Sequence, residues 1–222
     1  MILTVLGEVL AAGLAAAFLA ASFSKLEARD QLALLAVVLF AHATLLVLKP
    51  SGLLVANVTV LVSSAGAGTA LARLARTRSA LLALAAAASA AAVVSYLVGP
   101  TRWLLERAGP AREWGVSHYL AVSVPVRTGA LPVVGWGDLV VVAAFYTALR
   151  GLGAGVWGAA GPPVVGLVAA LGIGLAHGGA YAVPFMTLAL AAYLGLSGVG
   201  RETRPRPGAY EAADRNPSQE ST

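Results

Sequence analysis

The stretch ALPVVGWGDLVVVAAFYTAL, residues 130–149, is almost wholly apolar and carries one charged residue, Asp138. A carboxylate at membrane depth costs at least about 2.5 kcal/mol on insertion scales, and it usually faces a bundle interior or a watery cavity. Gly135 and Gly137 precede it. Without side chains they let another backbone or a substrate come close. An acid so placed can exchange a proton, hold a cation or take part in hydrolysis. The plainer account is a neutral carboxyl bonded to a neighbouring helix. Glu8, in VLGEVLAAG, is the other carboxylate inside an apolar run; its place near the chain start suits the membrane surface. His42, His118 and His177 have no paired ligand spacing, so no metal site is expected. His42 reads as a buried, hydrogen-bonded side chain and the other two as loop residues. There is no cysteine, hence no thiol chemistry or disulfide. No glycine-rich phosphate loop follows a strand, and no G-x-S-x-G motif is present. No cofactor is implied.

The elements that must position Asp138 are membrane helices. The 222 residues are 59% hydrophobic and 11% charged, with mean hydropathy +0.82. A soluble domain is about a quarter charged. A spanning helix needs roughly 20 apolar residues, and about seven such windows are present. The first runs from Ile2 to Phe23, lacks the basic flank of a signal peptide and is read as a retained span. Further spans are expected at 32–48, 53–74, 80–98, 130–149, 156–176 and 180–196. The third holds Ser63, Ser64, Ala65, Gly66 and Gly68, where a neighbour can pack closely. The fourth is so rich in alanine that burial among other helices is expected. Gly161-Pro162-Pro163 is expected to break the sixth. Gly151 with Gly155, and Gly174 with Gly178, have the small-xxx-small spacing of close helix contacts. Between the fourth and fifth spans, GPTRWLLERAGPAREWG reads as a short amphipathic surface piece. HYLAVSVPVRT alternates like a strand, with Pro125 confining it to an edge.

Residues 1–200 therefore form one transmembrane helical domain, and the polar, proline-containing tail 201–222 is expected to be disordered. The fold class is all-α and polytopic. The net charge of +5 comes from arginines scattered through loops, which suits topology rather than nucleic acid. Counting them over seven spans puts the N-terminus outside and the C-terminus inside, with Arg73, Arg76, Arg78 and Arg201 to Arg206 on one side.

Gly135-Trp136-Gly137-Asp138 within a span resembles the GxGD signature of the intramembrane aspartyl proteases, presenilin and signal peptide peptidase. The order of parts is similar too: span four, the amphipathic piece, a strand-like stretch, GWGD, one more span, then AYAVPFMTLAL. The resemblance covers about Leu81 to Leu196. It implies a presenilin-like bundle that acts on a transmembrane helix or peptide after unwinding it. Asp138 takes the catalytic place. Gly135, Gly137, Tyr96 and Pro184 take the substrate-binding ones. It also implies the opposite orientation to the arginine count.

The family's first aspartate follows a tyrosine in the preceding span, but here Tyr96 is followed by Leu97 and span four has no acid. Phe185 and Met186 follow Pro184 where the family has alanine and leucine. Aspartyl proteolysis needs two carboxyls that share a proton. The chain is thus expected to be an integral, multi-pass pseudoenzyme that binds membrane helices, alone or in a homo- or hetero-oligomer. The alternative is a small proton- or cation-coupled transporter using Asp138 and Glu8. A third reading is a purely structural partner subunit.

Overall fold

The computed structural model describes residues 2–48, 52–99, 120–126, 129–177 and 182–200. Seven helices and one hairpin lie in this part. They are α1 (Ile2–Phe23), α2 (Ala28–Leu48), α3 (Leu53–Ala72), α4 (Arg78–Val98), β1 (Ala121–Val126), β2 (Gly129–Gly135), α5 (Trp136–Gly151), α6 (Val156–His177) and α7 (Ala182–Ser197). The amphipathic piece and the tail expected to be disordered lie outside the described residues.

Among the described residues, five helices are long and apolar enough to cross a membrane: Val5–Phe23, Ala28–Leu48, Leu53–Ala72, Arg78–Val98 and Val156–Ile173. The protein is an integral, multi-pass membrane protein with a helical bundle. α5 and α7 are shorter, at 16 residues each, which is about 24 Å of helix.

The expected fifth span, 130–149, is not one helix. Its first residues are strand β2, paired antiparallel with β1, and the helix starts only at Trp136. Pro132 explains part of this, because it cannot donate to a helical ladder and sits well on a strand edge. The strand reading of 120–126 agrees with the structure: Val122 and Val124 are buried in β1.

Bare backbone at membrane depth must be satisfied by protein. Asn57 of α3 does this for β1. Its Nδ2 donates to the Ser123 carbonyl at 2.8 Å, and its Oδ1 accepts from the Ser123 N–H at 2.8 Å. The Asn57 amide thus stands where a third strand would pair. Ser123 therefore points its peptide groups away from β2. By the period of two, so does Pro125, whose missing N–H takes nothing from the β1–β2 ladder.

α5 is the centre of the bundle. Leu139, Val142, Ala143, Phe145 and Leu149 are all buried, on more than one face, as befits a helix surrounded by protein. Its main neighbour is α3. A Cβ on Gly68 would fall on the Val140 carbonyl oxygen and 2.6 Å from the Ala143 Cβ, so the small-residue run of α3 is the close approach its composition predicts. The same happens between α6 and α7, where a Cβ on Gly166 would meet the Met186 backbone. The glycine pair at 151 and 155 does not act this way. Both face open space around the α5–α6 turn. The side chains of the second expected pair lie outside the described residues.

Two further expectations are corrected. α6 runs unbroken through Pro162 and Pro163, since neighbouring helices tolerate proline in membrane helices by re-satisfying the freed groups. α4 is not buried among other helices. Leu81 and Ala85 are its buried residues, and Val98 is 80% exposed. Uniform apolarity serves a lipid-facing helix as well as a core one. α4 packs mainly on α7. There Ser89 Oγ lies 2.8 Å from Thr187 Oγ1, which donates to the Ala85 carbonyl at 3.1 Å. Ser89→Ala is expected to cost only about 0.6 kcal/mol, the average for such bonds in a bilayer. Unfolding in mixed micelles checks this; a loss above about 2 kcal/mol would contradict it.

Candidate functional site

Asp138 occupies the third position of α5, in its first turn. Its Oδ2 accepts from the Gly135 N–H at 3.3 Å, the helix's N-cap residue. This is half of a capping box, in which a carboxylate at N3 reaches back to the N-cap amide. Among the described residues the carboxylate has no other hydrogen-bond partner. The side chain is half-buried, and Gly137 beside it is exposed. Its first job is local: it satisfies an amide at a helix start.

What makes the position unusual is its depth. Trp136 opens α5, and its Nε1 donates to Ser63 Oγ at 2.8 Å. Ser63 is the eleventh residue of the 20-residue α3. From there α5 runs parallel to α3, since Gly68 comes next to Val140 and Ala143. The helix therefore starts level with the middle of a spanning helix, and Asp138 sits within the bundle's depth. The hairpin fills the half of the bundle ahead of it. Leu120 ties the junction, accepting from the Trp136 N–H at 2.8 Å.

Ser63 also lies 2.7 Å from His42 Nδ1 and hydrogen-bonds the Val60 carbonyl at 3.2 Å. His42 and Trp136 meet edge to face, with ring centroids 6.5 Å apart. His42 is buried, as expected from sequence. Leu39, His42, Ala43, Leu46, Leu120 and Trp136 line a largely apolar pocket of about 210 Å³. It opens on the α2 side of the motif.

The expected site residues are placed as follows. Gly135 and Asp138 are joined directly by their hydrogen bond. Tyr96 is half-buried near the end of α4, and Leu97 beside it is 52% exposed. Pro184 is half-buried in the first turn of α7. α4 meets α5 at few positions. Glu8 is exposed on α1, so it turns its carboxylate out of the bundle. Glu27 and Asp30, the other described acids, are exposed around the start of α2. His177 ends α6 and is not in a loop; His118 lies outside the described residues.

Sequence reasoning passed over Trp136 and Asn57. Trp136 is the variable place of the GxGD pattern, yet its bond to Ser63 sets the height of α5. Asn57 is the one side-chain amide in the mostly apolar α3, which is itself a mark of an interhelical or backbone hydrogen bond. Compared as a whole, the chain matches no known protein-family profile, no curated protein and no solved structure.

Proposed function

We propose that the chain is a presenilin-like, GxGD-type membrane protein that binds transmembrane helices beside Asp138 without cutting them. The observation that carries this reading is the hairpin that runs, inside the bundle, straight into the turn holding Asp138. It supplies extended backbone next to a carboxylate at membrane depth. That is what a helix unwound over a few residues needs, because its freed amides must find acceptors in protein. Asp138 has acceptor capacity beyond the Gly135 bond. Exposed Gly137 leaves room for a close backbone. Tyr96 and Pro184 are the proposed further contacts.

Hydrolysis is left out for a chemical reason. One carboxyl cannot be both the base that activates water and the acid that polarises the carbonyl. Glu8 faces outward and α4 offers no acid, so the chain supplies no second group next to Asp138 among the described residues. A transporter would need Glu8 beside Asp138 and free carbonyls at a break in α6, but Glu8 faces outward and α6 is unbroken.

The test uses the full chain in lipid nanodiscs and a fluorescent single-span peptide. Saturable binding with no new peptide termini by mass spectrometry is expected. Asp138→Asn should weaken binding about 5- to 30-fold, the loss of one hydrogen bond of about 1–2 kcal/mol. Cleavage by the wild type would overturn the inactive reading. Proton-coupled flux that Asp138→Asn abolishes, with no peptide bound, would replace the proposal with transport.

A further inference from the structure

The opposite end of the bundle carries a second feature. α1, α3, α5 and α7 finish there, while α2, α4 and α6 begin there. Lys25, Arg29, Arg73, Arg76, Arg78 and Arg150 all lie at this end, and they are all of the described lysines and arginines.

The α3–α4 connection presents three of these arginines on a fixed frame. Successive tight bonds hold it: Arg73 N–H to the Ala70 carbonyl at 3.2 Å, Leu74 to Leu71 at 3.0 Å, and Ala75 to Ala72 at 3.0 Å. Ala75 is buried as a plug. Thr77 then caps α4, accepting from the Ala80 N–H at 3.2 Å.

Arg73 is half-buried. Its Nε donates to Gln31 Oε1 at 2.7 Å, and its Nη2 donates to the same oxygen. Both donations fix the orientation of the Gln31 amide, whose Nε2 is buried and has no hydrogen-bond partner among the described residues. The outer Nη1 of the guanidinium also lacks one there. Among the described residues no ion pair neutralises Arg73; Glu27 and Asp30, in and before the first turn of α2, are exposed. Beside it Leu74 is 71% exposed and Leu71 is 40% exposed. A positioned guanidinium, without an ion pair among the described residues, thus sits next in the chain to exposed leucines.

We propose that this end binds the headgroup phosphate of an anionic phospholipid, with Arg73 as the central contact and Gln31 holding it in place. Arg76 and Arg78 add charge from the same turn, and the acyl chains lie along Leu71 and Leu74. The exposed leucines are the reason to choose a lipid over free phosphate. Planar guanidinium donors suit phosphate oxygens, and each basic residue near the surface strengthens anionic-lipid binding roughly five-fold. Glu27 and Asp30 oppose the binding and keep it modest.

The experiment is native mass spectrometry of the full chain released from micelles holding equal phosphatidylglycerol and phosphatidylcholine. Preferential retention of phosphatidylglycerol, roughly ten-fold, is expected. Arg73→Gln should lower that preference about five-fold, while Arg73→Lys, which keeps the charge and loses the fork to Gln31, falls between. Leu74→Gln should reduce retention of both lipids. Equal retention of the two lipids by the wild type would overturn the proposal. So would an Arg73→Gln variant that is folded, by its helical circular dichroism, and keeps the full preference. Displacement of phosphatidylglycerol by millimolar inorganic phosphate would assign the site to a soluble anion and also overturn it. None of these outcomes depends on Asp138 or on helix binding.

Discussion

Asn57→Ala is expected to destabilise the fold by about 3 kcal/mol. The amide makes two bonds to one peptide unit, the N–H and the carbonyl of Ser123. Removing it leaves both backbone groups unpaired in a place where Ser123 is buried. An orphaned buried group costs about 1–3 kcal/mol. Water does not reach into the hydrocarbon region to replace the lost partner. The hairpin should then loosen, and with it the junction at Leu120 and Trp136. Asn57→Asp is the informative control. It keeps an acceptor for the Ser123 N–H and loses the donor to the carbonyl, so it should retain part of the stability. Reversible unfolding in mixed micelles measures the difference. A change under 1 kcal/mol for Asn57→Ala would mean that Asn57 does not hold the hairpin.

Gly68→Ala should be as damaging, by a different route. The added Cβ would meet the Val140 carbonyl oxygen and would lie 2.9 Å from the Ala144 nitrogen. Both are backbone atoms of α5, so no flexible side chain can swing away. Overpacking a close-packed core costs about 1–3 kcal/mol, and a rigid backbone neighbour puts this site at the upper end, about 3 kcal/mol. α5 must shift away from α3, which pulls Trp136 off Ser63. The expected readout is therefore double: lower stability, and a changed fluorescence of the tryptophan in the α5 first turn. Gly137→Ala is the matched control, because its Cβ would have nothing within 4 Å. A Gly68→Ala variant as mild as Gly137→Ala would rule out the close α3–α5 contact.

These two positions show how far the sequence carries. Hydropathy alone located the apolar helices, because the cost of bare backbone in lipid leaves little choice of element. The alternation in AVSVPV announced β1, and the lone acid in an apolar run announced Asp138. What the sequence could not give was depth and partners. VVGWGDLVV reads as the middle of a span because strand and helix residues are equally apolar here. Only the pairing with β1, and the bond from Trp136 to Ser63, show that the chain turns from strand to helix halfway through the bundle. The alanine-rich α4 made the same point in reverse. Its composition fits a core or a lipid-facing wall, and its neighbours decided for the wall. Gly68 and Gly166, and not the spaced pair at 151 and 155, became the helix contacts, since glycine permits approach but does not choose who approaches. Local chemistry thus determined which residues could span, bend or carry charge. The tertiary packing alone decided that Asp138 caps a helix that starts midway through the bundle and that Glu8 faces away from it.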